Sequence, residues 1–171
     1  MAGSLVLIDS ETVSSGVSAV TLTGIDSTYD VYVVHFLNVE CSVDNEELYM
    51  RVTTSGTADS DSEYDWAMEE LKSYASYGEN SNTGQTQQFL TIIGTPAQEQ
   101  ANATLYLFNF NNSSEYSFWT IENVNLNSIS KLSGGQGGGV HTVAEANDGV
   151  SFFMDSGNID SGEFKLYGLK K

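Results

Sequence analysis

The feature that most constrains the fold of this chain is the alternation of apolar and polar residues within short segments. In "EELYMRVTT" (46–54), Leu48, Met50 and Val52 would lie on one face of a pleated strand. Similar segments recur, and turn-forming clusters of Gly, Ser, Asn and Asp such as "YGENSNTG" (77–84) separate them. Because no long helical pattern intervenes, the sequence predicts an all-β fold, an antiparallel β-sandwich or a barrel.

One segment, residues 62–75, is compatible with two kinds of secondary structure. Tyr64, Trp66 and Met68 alternate as they would in a strand. The same stretch is rich in good helix formers, and Trp66 and Glu70 would share one face of a helix. We expect a strand and keep the helix as the alternative.

Length and charge restrict the classes of protein to which the chain can belong. Its 171 residues suit a single domain, which we expect to span 1–171. Cys41 is the only cysteine, so no internal disulfide can form. The 23 acidic and 6 basic residues give a net charge of −17, which repels nucleic acids and anionic membranes. No apolar stretch approaches the ~18 residues of a membrane span. We therefore expect neither a nucleic-acid partner nor membrane insertion.

The segment "SGGQGGG" (133–139) is the low-complexity patch of the sequence. It lacks the Lys-Ser/Thr pair that closes a phosphate-binding loop. We expect a mobile loop that orders against a partner. The single proline, Pro96, leaves the sheet edges poorly blocked. Either the high negative charge protects those edges or neighbouring subunits cover them, which favours an assembly.

The residues that could support catalysis or metal binding are few and scattered. We expect His35, inside an apolar segment, to be packed, and His141, after the glycine-rich segment, to be solvated. Neither has a second His or Cys at ligand spacing. Cys41 has acidic neighbours that disfavour a reactive thiolate. "DSDSE" (59–63) lacks the glycine and the bidentate terminal glutamate of an EF-hand loop, so we expect a solvated acidic turn. The sequence thus predicts no catalytic, cofactor-binding or metal-binding residue.

Aromatic side chains are the remaining candidates for contact with a partner. Some cluster within 64–77 and others within 116–119. On an exposed face of a sandwich such rings stack on sugars or fill a protein interface, whereas buried rings only extend the core. The candidate interface or glycan-contact residues are Tyr64, Trp66, Tyr74, Tyr77, Tyr116 and Trp119.

Several stretches of the chain resemble a family of virion proteins from tailed bacteriophages, many of them marine. The matching segments are "GSLVLI" (3–8), "GIDSTYDVYVVHFLNV" (24–39), "SEYDWA" (62–67), "LYLFN" (105–109) and "SGNIDSGEFKLYGL" (156–169). They occur in the same order as in the family and span nearly the whole chain. These motifs are structural, and none of them is catalytic.

The resemblance implies a jelly-roll-like β-sandwich displayed on the phage particle, as a head decoration or as a tail- or fibre-associated subunit. It implies a non-enzymatic structural protein that is made in the host cytoplasm and resides in the virion. Its partners would be other capsid or tail proteins and copies of itself, with a trimer as the leading oligomer. Residues 1–8 would dock onto the particle, because an apolar strand near a terminus needs a pairing partner.

Two other functions are compatible with the sequence. The alternative is a carbohydrate-binding module that attaches to host-surface glycans, which the two aromatic clusters favour. A jelly-roll hydrolase rests only on the abundance of carboxylates, and nothing singles out a catalytic pair. We expect no enzymatic activity and no cofactor.

Overall fold

The computed structural model describes residues 4–170, and within that range the chain forms thirteen β-strands and no helix. The strands assemble into two antiparallel sheets that face each other, which confirms the all-β sandwich. Among these residues, no helix has the length and apolarity that a membrane crossing requires. The strands are β1 Leu5–Val13, β2 Ala19–Thr23, β3 Val31–Cys41, β4 Glu46–Thr54, β5 Thr57–Ala58, β6 Tyr64–Lys72, β7 Gly78–Gln85, β8 Gln88–Ile93, β9 Ala101–Phe108, β10 Tyr116–Leu126, β11 Leu132–Ala144, β12 Gly149–Met154 and β13 Ile159–Leu169.

Eight of the strands are wound in the order of a jelly roll. β1, β13, β3 and β9 lie side by side in a large sheet, and β2, β12, β4 and β8 lie side by side in a small sheet. The antiparallel pairs β1–β13, β2–β12, β3–β9 and β4–β8 therefore alternate between the sheets along the chain. This alternation is the winding of a jelly roll, in agreement with the expectation from the family resemblance.

The large sheet extends beyond the jelly roll by four strands. They follow β9 in the order β10, β11, β6 and β7, which gives eight strands in all. The prediction that residues 77–84 are only a turn is wrong, because β7 pairs with β6. The polar side chains of β7 carry no apolar alternation, but the backbone hydrogen bonds that define an edge strand form without it.

The glycine-rich segment 133–139 lies in a strand, so the prediction of a mobile loop is wrong. It belongs to β11, which pairs with β10 on one side and β6 on the other. A Cβ on Gly139 would lie 2.4 Å from Gln88 Oε1 and 2.7 Å from the Trp119 ring, and one on Gly138 would lie 2.5 Å from the Trp119 carbonyl oxygen. The glycines are therefore needed for the close approach of neighbouring groups.

Residues 62–75 contain strand β6, which confirms the strand and excludes the helix. Tyr64, Trp66 and Met68 are buried and belong to the core between the sheets. The alternation seen in the sequence thus places every second side chain of β6 against the small sheet.

The core lies between the two sheets, and both contribute large side chains to it. Phe36 and Phe164 of the large sheet pack against Phe152 of the small sheet, with ring centroids 6.0 and 5.3 Å from that of Phe152. In the extension, the Trp119 ring of β10 packs against the Tyr64 ring of β6, with ring centroids 6.2 Å apart. The core therefore continues under the added strands, and the extension is part of the same domain.

The N-terminal strand finds its pairing partner within its own chain. Residues Leu5 to Val13 of β1 pair with β13, from Leu169 to Gly162. Another protein is thus not needed to pair this strand, and the docking of residues 1–8 onto a particle stays a prediction. Residues 1–3 of that segment lie outside the described residues.

Candidate functional site

Three of the six aromatic residues predicted to contact a partner lie in the core instead. Tyr64, Trp66 and Trp119 are at most 8% exposed and pack between the sheets. Trp119 Nε1 donates to Gln88 Oε1 at 2.7 Å and the Tyr64 hydroxyl donates to the Asp59 carbonyl at 3.0 Å, whereas Trp66 Nε1 is buried without a hydrogen-bond partner among residues 4–170. The prediction that these rings contact an external partner is wrong, because strand alternation turns each of them inward.

The other three predicted aromatic residues are exposed but do not form one surface. Tyr74 and Tyr77 lie in the turn between β6 and β7, whereas Tyr116 begins β10. Strand β10 ends at Leu126, on the side of the sheet where β6 turns into β7. At about 3.3 Å per residue, Tyr116 lies roughly 30 Å from the other two rings.

An exposed apolar band crosses the outer face of the large sheet, on the side turned away from the core. Tyr167, Val33 and Tyr106 are cross-strand neighbours, as are Phe108 and Phe118. Tyr106 and Phe118 are 45% and 44% exposed, whereas their neighbours shield Val33, which is outside the core cluster. We call this surface the outer band. Its members are Val31, Val33, Tyr106, Phe108, Phe118, Val140 and Tyr167.

The outer band itself carries no charge, although acidic side chains border it and the chain as a whole carries −17. The adjacent cross-strand row runs from Lys165 through His35, Thr104, Glu122 and Gln136 to Glu69, and Asp65 pairs with Val140 at the end of the band. The Lys165 ammonium is already paired with Glu163. Association of this surface with a second acidic molecule therefore has to rely on apolar contact at the band.

A cleft of about 320 Å³ opens between β8 of the small sheet and the extension of the large sheet. Asn123 and Asn125 of β10 span the two sheets, since their Nδ2 atoms donate to the carbonyls of Leu90 at 2.7 Å and Ile92 at 2.6 Å. We call this cleft the amide cleft. Its polar lining includes Asn45, Tyr74, Asn123, Asn125, Asn127 and Ser128.

Asn123 Oδ1 lies at the wall of the amide cleft and lacks a hydrogen-bond partner. The side chain is 9% exposed, this oxygen is shielded from solvent, and within residues 4–170 nothing donates a hydrogen bond to it. Leaving a buried amide oxygen unsatisfied costs about 1–3 kcal/mol, so a ligand hydroxyl would bind favourably once the side chain turns toward the cleft. Tyr74 adds an exposed ring to the same cleft. Amides and a ring together suit a sugar.

Two residues considered as reactive candidates have structural roles. The His35 ring packs on Tyr167 with centroids 5.3 Å apart, and burial together with nearby Lys165 lowers the pKa of His35. The Cys41 thiol donates to the Val43 carbonyl at 2.8 Å, and burial raises the pKa of Cys41 to about 11. The structure agrees with the expectation of a packed histidine and an unreactive thiol.

His141 is fully buried, so the prediction of a solvated residue is wrong. Its Nε2 lies 2.9 Å from Asp59 Oδ2 and 3.4 Å from Glu63 Oε2. Because β11 continues through the glycine-rich segment, His141 pairs with Tyr64 and its side chain turns inward. The turn 59–63, expected to be purely solvated, thus packs two carboxylates on a buried ring. Burial and the neighbouring Asp59 raise the pKa of Glu63.

The sequence interpretation missed both the outer band and the amide cleft. For Tyr106 and Phe118 the available signal is that each lies in a short run of consecutive apolar residues, Leu105 to Phe108 in β9 and Phe118 to Trp119 in β10, so that apolar side chains point to both faces there. For Asn123 and Asn125 it is the occurrence of amides at the inward positions of β10, where apolar residues are expected. Neither signal identifies the neighbouring strands that complete the surface.

Comparison of the chain with protein-family models and with curated proteins finds no match. The functional proposal therefore rests on the geometry of the outer band and the amide cleft, together with the resemblance described for the sequence.

Proposed function

We propose that this chain is a non-enzymatic structural subunit of a bacteriophage virion, displayed on the exterior of the head or associated with the tail or a fibre. In this proposal, copies of the chain associate through the outer band. The observation that carries the proposal is an uncharged aromatic and aliphatic surface on the outside of a sheet whose inner face is already packed. Exposed apolar patches of this kind are typical of protein interfaces.

A second copy of the chain is the partner that the outer band favours. A chain of net −17 repels its copies over most of its surface, but the outer band is uncharged, so repulsion opposes contact least there. The Lys165 ammonium beside the band is already paired with Glu163, so apolar contact rather than charge attraction drives the proposed association. The aromatic residues of the band, Tyr106 and Phe118, are of the type enriched at interface centres.

The association through the outer band is tested by sedimentation velocity of the purified chain. We expect an oligomer, with a trimer as the leading state, and we expect the double variant Tyr106→Ser/Phe118→Ser to sediment as a monomer of 18.5 kDa. The matched control is Tyr74→Ser/Tyr77→Ser, which removes two exposed rings outside the band and should leave the oligomer intact. A wild-type monomer at high protein concentration, or an oligomer unaffected by the band variant, contradicts the proposal.

The location in the virion is tested by deletion of the gene. Particles that lack the chain should differ from wild-type particles in protein composition and in outline under negative stain. Particles unchanged in both respects would remove the virion assignment, even if the purified chain is an oligomer.

A second candidate function, glycan binding at a host surface, is favoured by the amide cleft. The specific observation is the buried Asn123 Oδ1 beside the exposed ring of Tyr74. Once the Asn123 side chain turns toward the cleft, a sugar hydroxyl would donate to its amide oxygen while a face of the sugar packs on the ring. This function is compatible with a place on the virion exterior, since exterior subunits meet the host surface.

Glycan-array binding of wild-type protein and of Tyr74→Ala tests the second candidate. We expect Tyr74→Ala to lose glycan binding. We expect Tyr116→Ala to retain it, because Tyr116 is about as exposed as Tyr74 but lies at the far end of β10 from the amide cleft. Equal binding by both variants excludes the amide cleft as the site, and no binding by the wild type excludes glycan recognition by this chain.

A further inference from the structure

Three potential metal ligands from distant parts of the sequence meet where β6 and β11 pair. His141 comes from β11, and Asp59 and Glu63 come from the connection between β5 and β6. One ligand atom from each lies within 4.8 Å of the others. The His141 Nε2 is 2.9 Å from Asp59 Oδ2 and 3.4 Å from Glu63 Oε2. Ligands bound about 2.1 Å from a tetrahedral metal ion lie about 3.4 Å apart, so these separations suit a shared ion.

The surroundings of the buried ring supply a second geometric reason for a bound cation. His141 is 0% exposed, and its Nδ1 has no hydrogen-bond partner among residues 4–170. Three carboxylates approach this ring, those of Asp59 and Glu63 at Nε2 and that of Glu145 at Nδ1. A metal ion between Nε2 and the carboxylates of Asp59 and Glu63 would offset the repulsion among these groups.

We propose that Asp59, Glu63 and His141 form a binding site for a divalent transition-metal ion of the zinc type. One imidazole nitrogen and two carboxylate oxygens are three ligands of the kind that such an ion accepts, and a water molecule would complete a tetrahedron. The calcium-type hard cations are less well matched, because they take oxygen ligands and the deepest ligand here is a nitrogen.

Glu145 fits the role of an outer partner to the same site. The Glu145 Oε1 lies 3.8 Å from His141 Nδ1, the ring nitrogen on the side opposite Asp59 and Glu63. Metal-bound histidines commonly donate their other ring N–H to a carboxylate, which fixes the tautomer and the orientation of the ring. With the ion on Nε2, the proton lies on Nδ1 and faces Glu145, and a small movement of the Glu145 side chain completes that hydrogen bond.

The ligands are held in place by the backbone around them. The Asp59 carbonyl accepts from the Tyr64 hydroxyl at 3.0 Å, and Asp59 Oδ1 accepts from the Asp61 N–H at 2.8 Å, which leaves Oδ2 directed at His141. The Glu63 carbonyl accepts from the Thr142 N–H at 2.8 Å. The backbone therefore brings the three ligands together in the folded chain, and an ion would need only a small widening of the separation between His141 Nε2 and Asp59 Oδ2.

The site is accessible from the solvent on one side. The side chains of Asp59 and Glu63 are 18% and 33% exposed, while His141 closes the inner side. An ion can enter past the carboxylates. Once bound, it would fasten the β5–β6 connection to β11, a role in stability that is separate from the proposed assembly function and does not depend on it.

The proposal is tested by titration of untagged, chelator-treated protein with Zn²⁺ in a calorimeter and with Co²⁺ as a spectroscopic probe. A polyhistidine tag must be absent, because it would bind both ions. We expect one saturable site per chain, the visible absorption of tetrahedral Co²⁺, and a rise in the thermal midpoint in saturating Zn²⁺. His141→Gln and Glu63→Gln should abolish the Co²⁺ spectrum, and Glu145→Gln should weaken Zn²⁺ binding about tenfold.

The control is Asp61→Asn, which removes a carboxylate from the same turn without removing a ligand. It should bind Zn²⁺ as the wild type does. Because His141 is buried and its variant can misfold, Glu63→Gln, at a partly exposed position, provides the decisive comparison. Failure of wild-type protein to bind Zn²⁺ overturns the proposal. So does binding that Glu63→Gln retains in full, or binding that Asp61→Asn loses to the same extent as Glu63→Gln.

Discussion

The Tyr64 hydroxyl is predicted to stabilise the sandwich by a hydrogen bond that no backbone group can replace. Strand β4 pairs with β8 as far as Met50 and with β5 from Thr53 onward. Between those two partners, the Val52 N–H donates to the Tyr64 hydroxyl at 3.1 Å, and that hydroxyl donates to the Asp59 carbonyl at 3.0 Å. Tyr64 lies in the large sheet and Val52 in the small sheet, so the hydroxyl joins the sheets inside the core.

The change Tyr64→Phe keeps the ring and removes both hydrogen bonds. It leaves the buried Val52 N–H without an acceptor, which costs about 1–3 kcal/mol. We therefore expect the free energy of unfolding to fall by about 2 kcal/mol. For a chain of this size, a loss of that amount lowers the thermal midpoint by about 4–8 °C.

The assay is equilibrium urea unfolding followed by tryptophan fluorescence, at one protein concentration because association affects apparent stability. We expect Tyr64→Phe to lower the midpoint without a change in slope, which indicates lost stability and an unaltered unfolded state. Tyr106→Phe is the matched control, since it removes the hydroxyl of a tyrosine that is 45% exposed. If both variants unfold within about 0.5 kcal/mol of the wild type, the argument from the buried hydrogen bond is refuted.

Three further predictions concern Glu99, Cys41 and Gly139. Burial and the nearby Asp44 raise the pKa of the Glu99 carboxyl in the folded chain above its value in the unfolded chain. The protonated carboxyl therefore contributes its full stabilisation below the unfolded-state pKa, and this stabilisation is lost as the pH rises through the folded-state pKa. Glu99→Gln should therefore gain stability relative to the wild type between about pH 4 and pH 7, and a difference independent of pH would contradict this. Burial raises the pKa of the Cys41 thiol to about 11. At pH 8 the thiol should therefore react with a disulfide reagent at least about 100-fold more slowly in the folded chain than in the chain unfolded in urea. Equal reaction rates would mean that the thiol is accessible and ionised in the folded chain. Gly139→Ala should lower the free energy of unfolding by about 1–3 kcal/mol, because the added Cβ would overlap Gln88 and Trp119. Ser133→Ala, in the same strand, should leave the free energy of unfolding nearly unchanged. Equal stability of the two variants would reject the packing explanation for the glycine-rich strand.

The strands that the sequence predicts well are those whose side chains carry the alternation. β4, with Leu48, Met50 and Val52 turned inward, is one example, and β6 is another. The sequence does not predict β7 or the glycine-rich part of β11, because these strands form by backbone pairing and lack an alternation of apolar side chains. In β11 the composition is set by what packs against the strand, such as Trp119 on Gly139.

The candidate surfaces depend on neighbours that the sequence does not reveal. Phe118 and Trp119 are adjacent in β10, and alternation places them on opposite faces, but only the topology determines which of them faces the small sheet. The outer band requires β13, β3, β9, β10 and β11 to lie side by side. The jelly-roll winding provides the first three strands, and the extension adds β10 and β11. The contact of His141 with Asp59 requires the register of β6 and β11, which a loop at 133–139 would not create.

A cryo-electron microscopy map of the phage particle proposed to contain this chain would test the central proposal most directly. The sandwich should fit into density on the outside of the particle, with another copy of the chain covering Tyr106 and Phe118. A map in which no exterior density accommodates the sandwich, or in which those two side chains face solvent in every copy, would contradict the proposed role.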